Sequence, residues 1–590
     1  MKKSLIKMRK SAFLYIYFII SFILVCSIPY LFGESEPNQS LSYMVGFNNK
    51  VGMACLVLFS LPLLFFPLGN VNKIDYCSLE RSNCNDKKFI IITILISAIF
   101  IILEGILLYN ENYSGSGGEG AYVIRHIYAV KYGAELYGDI HYIYGPLTIY
   151  PVIWLSYLGI TIGCSYFIVL LIYHVIGLFM IYDLLRSFNL TGFERRIIFV
   201  IAAIIFYPLA TGLNFCSLRF VMLPWAIFHF IYYNRRRSFL YCSLFNICSF
   251  LFVFLYSQEF GLCYLFLVLL FSLIGLIVNK SWKDVVYFIE VLLVSCVVFI
   301  QMPNYFLSII QAGSGGGSFP FIPSMAMQTV VIVFLVYGII MGGQLKKIEK
   351  LYPLIVMELS FIIAFPSALG RCDPPHVFYN LFFAIVLCYV ALSSIVQKRH
   401  VVLFVFIALL TFFPYHINYV CRSICSDIIR NNSEIVDKVL MKISPNTKIA
   451  DKYKNELSKY NLLSLVDGSV TSIDCDNKSY LLLQKKNYKE TFFGYKPRWV
   501  GNKTGFDIEI ESLKKANVDF LVLPYDYKTE WMKPADLQGH YVDILFCTYY
   551  HPKIKYYYNE TLYGHLIEYI DNNYYTIESN SSFTVLKRKI

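Results

Sequence analysis

Long apolar runs alternate with short polar gaps over residues 11–418, and a charged, Tyr- and Asn-rich stretch without such runs follows. The runs fall at 11–32, 51–69, 88–109, 164–186, 196–213, 218–234, 238–256, 260–279, 284–303, 326–343, 351–369, 377–397 and 400–418. A helix of about 20 residues rises ~30 Å, enough to cross the hydrocarbon core of a bilayer. The pattern therefore predicts an α-helical polytopic membrane protein with about 13 transmembrane helices.

The gaps sort into two sets. Lysine and arginine collect at 2–10, 73–88, 186–196, 235–237, 280–283, 345–350 and 398–400, which all fall on one side of this topology. The positive-inside rule makes that side the cytoplasm. The first run follows Lys2, Lys3, Lys7, Arg9 and Lys10, is too long for a cleaved signal and lacks a small-x-small site. It reads as a retained signal anchor with a cytoplasmic N-terminus. An odd number of spans then sets the C-terminus outside, in a multi-pass plasma-membrane protein (the inner membrane of a bacterium).

Three regions follow: two N-terminal transmembrane helices at 1–87, a transmembrane core at 88–418 with a long first outer loop at 110–163, and an extracytoplasmic α/β domain at 419–590. In the last, Ser433 is placed to cap a helix over 435–443. A helix is predicted over Ile508 to Ala516, followed by the strand Phe520-Leu521-Val522-Leu523 and a break at Pro524. A closing hairpin is predicted from Tyr575-Thr576-Ile577 and Phe583-Thr584-Val585-Leu586. Within the first outer loop, Val123, Ile127, Val130 and Ala134 form a helical apolar stripe with Arg125 and Lys131 off it, predicting a helix lying at the interface. Residues 147–158 are too short to span and read as a half-helix. The glycine-rich run at 313–318 reads as a flexible lid or connector in the loop 304–325.

Composition agrees. With 590 residues, 57% hydrophobic and 15% charged, and a mean hydropathy of +0.55, the chain is no ordinary soluble globule. Its net charge of +12 is spread over the cytoplasmic gaps rather than gathered in a patch, so no nucleic-acid partner is expected. The cysteines mostly sit singly in apolar runs, as small hydrophobes, and none has zinc spacing. Cys421, Cys425, Cys475 and Cys547 lie beyond the last run and can pair in an oxidising compartment. P-loop, G-x-S-x-G and H-E-x-x-H motifs are missing, which argues against ATP-driven transport.

The outer gaps hold a sparse polar set: Glu119, Asp139, Arg219, Glu259, Arg371, Asp373 and His376. Ionisable groups at helix ends near a membrane are costly unless solvated, paired or functional. Carboxylates with arginines on one side suit a substrate that carries a phosphate and meets a hydroxyl to be deprotonated. Arginine grips phosphate oxygens with a planar charged fork, and a carboxylate within reach acts as general base.

Three segments carry a resemblance. Gly118-Glu119-Gly120-Ala121-Tyr122, Gly133-Ala134-Glu135-Leu136-Tyr137-Gly138-Asp139 and Tyr144-Gly145-Pro146-Leu147 together look like the first outer loop of GT-C glycosyltransferases. Arg219 with Pro224, the turn Ser257-Gln258-Glu259-Phe260-Gly261, and Gly370-Arg371-Cys372-Asp373-Pro374-Pro375-His376 resemble later outer-edge motifs of those enzymes. The plan is similar to that of aminoarabinose transferases and protein O-mannosyltransferases over roughly residues 88–400. Where the family usually has an acidic pair, this chain has Glu119 preceded by glycine. The resemblance implies an inverting transfer of sugar from a polyprenyl-phosphate donor to a glycan, lipid or protein acceptor at the outer face, among membrane lipids. Glu119 or Asp139 would be the carboxylate base; Arg371, His376 and Arg219 would hold the phosphate, and Glu259, Asp373 and Tyr144 would line the substrate site. No cofactor and no metal are expected, since no acid pair has ligand spacing. An O-antigen-type polysaccharide polymerase is the alternative enzyme, disfavoured by the separate C-terminal domain. A lipid-linked glycan transporter would put charges at helix centres, which here are nearly free of them.

Overall fold

The computed structural model describes residues 2–32, 47–65, 78–79, 86–110, 113–114, 119–208, 212–313, 325–365, 374–396, 399–403, 465–475, 487–492, 494, 503–532 and 560–589. The predicted helix at 435–443, most of the run at 400–418 and the glycine-rich residues 314–318 lie outside them.

Helices dominate. In chain order they are α1 (Lys2–Ser27), α2 (Asn49–Ser60), α3 (Lys87–Leu108), α4 (Glu119–Lys131), α5 (Tyr150–Tyr157) and α6 (Ile162–Leu185). Next come α7 (Gly192–Ile205), α8 (Ser217–Arg236), α9 (Phe239–Tyr256), α10 (Gln258–Asn279) and α11 (Trp282–Gln301). The bundle is completed by α12 (Pro303–Gly313), α13 (Met325–Leu345), α14 (Ile348–Leu359) and α15 (Pro374–Val396). Among the described residues, six helical stretches are long and apolar enough to cross a membrane: Lys87–Gly105, Ile162–Leu185, Phe239–Tyr256, Gln258–Asn279, Trp282–Gln301 and His376–Ser394. Shorter apolar helices lie at Ile16–Leu31, Lys50–Phe65 and Thr329–Leu345. The runs at 196–213 and 351–369 carry helices of only 14 and 12 residues, because each breaks into turns before its apolar run ends. The stretch at 147–158 is a helix of 8 residues, a half-helix.

Burial separates centre from rim. The apolar stretch of α15 is 83% buried in the bundle and that of α11 only 22%. Exposed Leu293, Val297 and Ile300 on α11 form a surface for lipid chains rather than a core.

Contacts between gaps stay within two ends of the bundle. At one end, Asp86 meets Arg195 at 3.8 Å and Arg196 at 3.4 Å, and Arg399 meets Glu194 at 3.5 Å. Thr191 and Glu194 form a reciprocal capping box that starts α7, and Tyr389 donates to the same Glu194 at 2.7 Å. Here too Asp183 accepts from Trp225 and His229. The opposite ends of α8, α9 and α10 carry Arg219, Ser257 and Glu259, with Tyr144 of the first outer loop beside them. Arg219 and Glu259 thus lie at the other end of the bundle from the Asp86–Arg195 and Glu194–Arg399 pairs.

Gly145 locks the second end. Its N–H donates to the Tyr256 carbonyl at 3.0 Å, and a Cβ there would overlap the Leu255 and Tyr256 backbone. Because backbone cannot rotate away, Gly145→Ala should destabilise the protein by about 1–3 kcal/mol or more. An unchanged thermal unfolding midpoint in detergent would contradict that close approach.

The C-terminal residues build a four-stranded sheet of β1 (Val470–Ser472), β2 (Phe520–Pro524), β3 (Tyr574–Ser579) and β4 (Phe583–Arg588). Its order is β1-β2-β4-β3, with β1 parallel to β2 and the other pairs antiparallel. Helices α16 (Lys503–Ala516), α17 (Tyr527–Trp531) and α18 (Glu560–Asn573) complete it. The central strand β2 is apolar on both faces, as a doubly covered strand must be. Leu521 and Leu523 pack with Phe506, Leu513, Trp531 and Leu566 from the helices. Phe520 and Val522 pack with Val470, Phe583 and Val585, and Tyr128 of α4 packs against that cluster. The first outer loop therefore forms part of the sheet's second cover.

Candidate functional site

Arg219 lies in the first turn of α8 and is 6% exposed. A buried guanidinium has to have its fork satisfied, and this one does. Nη2 pairs with the Glu259 carboxylate at the start of α10, Nη1 donates to the Asn214 carbonyl at 2.8 Å, and Nε reaches the Ser257 hydroxyl at 3.4 Å. Its flat faces lie against aromatic rings: Tyr144 at 4.6 Å, Phe220 at 5.0 Å and Phe260 at 5.7 Å. Asn214 also donates to the Tyr144 hydroxyl at 2.9 Å. The Glu259 side chain remains 30% exposed, so the pair presents a carboxylate to solvent with the cation beneath it.

The turn carrying Asn214, Leu213–Phe215, is itself pinned. Leu213 N–H donates to the Tyr166 hydroxyl and its carbonyl accepts from Tyr256, both at 2.9 Å. Phe215 meets the His376 ring edge-on at 5.0 Å, which brings the start of α15 to the same turn. Helix α4 packs on this turn as well, and its Tyr122 stacks on Tyr142 and meets Tyr144 edge-on. Arg219, Glu259, Tyr144, His376 and the helix that Glu119 begins therefore converge.

Two histidines lie under the loop. His126 faces the Tyr122 carbonyl through Nδ1 at 2.7 Å and the His141 carbonyl through Nε2 at 3.2 Å. Burial lowers the His126 pKa to about 4 and that of His141 to about 3, with the neighbouring His126 a smaller cause for the latter. Unfolded histidine titrates near 6.5, so below that pH the unfolded chain binds protons that the folded loop refuses. Stability should thus be full above about pH 6.5 and fall as pH drops toward 4, by up to about 1.4 kcal/mol per pH unit for each group. His126→Gln should remove about half of that slope. A midpoint that stays flat from pH 7 to pH 4.5 in a thermal scan would refute the burial of neutral rings.

Arg125 departs from the expectation for an off-stripe residue of an interfacial helix. It is 2% exposed, because the sheet covers the face of α4 opposite the bundle. Its Nε and Nη2 bind Glu490 at 2.6 and 2.5 Å, and Nη2 also donates to the Tyr488 hydroxyl at 2.9 Å and the Ser472 carbonyl at 3.0 Å. The surrounding carboxylate and hydroxyl hold its pKa above the ordinary arginine value despite burial. A second tie, from His141 N–H to the Phe492 carbonyl at 2.9 Å, runs alongside.

Asp139 lies elsewhere. It is 43% exposed, accepts from Lys515 at 3.3 Å and from the Glu135 N–H at 2.9 Å, and faces the sheet domain rather than Arg219. Arg371 and Asp373 lie outside the described residues, as does the side chain of Glu119. Asn214 is the group that sequence reasoning missed, and the contacts of Ser257 and Arg125 were not foreseen. Ser257 left a signal as part of the turn before Glu259, and Arg125 as a charge off the apolar stripe. Cys475 is a buried thiol that donates to the Val522 carbonyl; Cys421, Cys425 and Cys547 lie outside the described residues. No group of three or more His, Cys, Asp or Glu side chains able to hold a metal occurs among the described residues.

No protein-family model matches the chain, and no curated protein matches it. Among solved structures it is similar to ArnT from Cupriavidus metallidurans bound to undecaprenyl phosphate, at 10% identity and a TM-score of 0.40, over 85% of this chain and 98% of that one.

Proposed function

We propose that the protein is an integral-membrane glycosyltransferase that moves a sugar from a polyprenyl-phosphate donor to an acceptor hydroxyl at the membrane face opposite its basic gaps. The observation that carries this reading is the Arg219–Glu259 pair, aromatic-walled and half-open, at the end where Tyr144, His376 and the start of α4 meet. A buried cation capped by a partly exposed carboxylate suits a ligand with a phosphate and a sugar. The outer-loop motifs quoted above support the same chemistry.

In this mechanism the donor chain lies among the lipids beside the bundle, and its phosphate approaches Arg219, His376 and Arg371. Glu259 orients the Arg219 fork and meets sugar hydroxyls. Glu119 removes the acceptor proton as the acceptor oxygen attacks the anomeric carbon and the polyprenyl phosphate departs with inversion. Positive charge beside the leaving phosphate stabilises it as the bond breaks. Helix α4 seats Glu119's backbone at this end, whereas Asp139 is engaged by Lys515, which favours Glu119 as the base.

The test is release of free polyprenyl phosphate by the detergent-purified chain from a panel of labelled polyprenyl-phosphate sugars. Release with sugar appearing on an acceptor is the expected result. No turnover of any donor, with the protein folded, sinks the proposal.

A further inference from the structure

The sheet domain and the first outer loop enclose a cavity of about 630 Å³ where the turn after α4 meets α16. Tyr132 and Asp139 line it from the loop, and Tyr488, Glu490, Phe492 and Lys515 from the domain. Its volume falls in the range of small-molecule sites, about 300–1,000 Å³. Its two walls come from segments more than 340 residues apart that the Arg125–Glu490 clamp ties together, and Glu490 itself lines the cavity.

The chemistry of the walls narrows the occupant. Glu490 is neutralised by Arg125, Asp139 is paired with Lys515, Glu511 with Lys514, and the Lys489 ammonium donates to the Ala516 carbonyl while lying within the field of the Asp519 carboxylate. Charges are therefore matched within the protein, and a ligand need bring none. What remains is hydrogen-bonding capacity, since a carboxylate accepts about four bonds, together with aromatic surface. Tyr132 stacks one face on Tyr128 at 6.2 Å and is 43% exposed. Aromatic faces beside acceptors and ammonium donors fit a molecule with C–H faces and a girdle of hydroxyls.

We infer that this cavity is a subsite for a neutral saccharide, the part of an acceptor glycan remote from its reacting hydroxyl. The inference rests on the glycosyltransferase reading and specifies its acceptor as a glycan. Helix α4 sets the length required. It has 13 residues, about 20 Å at 1.5 Å per residue, and separates Glu119 at one end from Tyr132 just past the other. An acceptor filling the cavity must span that distance, so the subsite serves an oligosaccharide and not a monosaccharide.

The experiment is saturation-transfer NMR on the detergent-purified full chain, with glucose, mannose, galactose and N-acetylglucosamine, each as monomer and as neutral hexamer. At least one hexamer should receive saturation, its monomer far less, and the signal should fall about fivefold or more in Tyr132→Ala and in Lys515→Trp. Both changes are at exposed positions, and an unchanged unfolding midpoint verifies that the variants fold. If no hexamer is saturated, or both variants bind like the parent, the subsite is refuted. Donor turnover measured on the same preparations separates the two proposals. Turnover without saccharide binding removes only the subsite, whereas saccharide binding without turnover keeps a saccharide site but removes the transferase reading and, with it, the acceptor role.

Discussion

Glu119→Gln should lower sugar transfer by roughly 10²- to 10⁴-fold, the usual loss when a general base is removed, while Asp139→Asn stays within a few-fold of the parent. The two carboxylates are separated by their surroundings. Glu119 opens α4, the helix that packs on the Leu213–Phe215 turn and sends Tyr122 against Tyr144. That turn supplies the Asn214 carbonyl to Arg219 and the Phe215 ring to His376. A base at this position approaches the groups that would hold the donor phosphate. Asp139 has one oxygen on the Glu135 N–H and the other on Lys515, and so is held toward the sheet domain, away from Arg219. The readout is steady-state transfer with acceptor in excess and donor varied. Loss should appear in kcat with little change in donor KM, since a base acts in the transition state. A variant Glu119→Gln with parental kcat would overturn the assignment. Loss in Asp139→Asn instead would transfer the role to Asp139.

Arg125→Ala should cost about 3–5 kcal/mol, the range for breaking a buried ion pair by removing one partner. Both side chains are nearly inaccessible, at 2% and 4% exposure. The truncation leaves the Glu490 carboxylate, the Tyr488 hydroxyl and the Ser472 carbonyl without their shared donor. The consequence should be local before it is global: the sheet face formed by Val470, Phe520, Val522 and Val585 loses its hold on Tyr128 and α4. Hydrogen exchange over residues 465–475 and 520–524 should then accelerate, and a protease should cut between core and sheet domain at lower concentration. Arg125→Lys keeps the charge but not the fork, and should recover only part of the loss. The double change Arg125→Met with Glu490→Leu should recover much more, because apolar side chains of similar size replace a buried pair at little cost. Parental exchange rates and midpoint in Arg125→Ala would show that the clamp carries no docking energy.

Much of the helical plan is legible without coordinates. Apolar run length marks α3, α6, α9, α10, α11 and α15, because in a bilayer every backbone group must be satisfied within its own helix. The helix predicted over Ile508 to Ala516 falls within α16, and the runs Phe520–Leu523 and Phe583–Leu586 fall within strands, because such elements depend on neighbours a few residues away. The grouping of Arg219, Glu259 and His376 at one end could be anticipated from run counting alone. Where two turns interrupt an apolar run, as after Ile205 and Leu359, counting fails, since hydropathy does not see the turn.

Other features have no local signature. That Asn214 and Ser257 complete the Arg219 fork, and that Asp139 faces Lys515 instead, follows from packing between distant segments. Arg125 is the sharpest case. Spacing along α4 determined only that its charge leaves the apolar stripe, and water is the default partner for such a residue. The fold supplies Glu490, 365 positions away, and so converts a surface charge into the buried joint between membrane core and sheet. One chain by itself determines where apolar runs lie and what chemistry each residue carries, because these depend on short-range order and solvent. Which charges meet, and which of two carboxylates stands by the substrate, is decided by tertiary contact, because pair energies depend on distance in space and not along the chain.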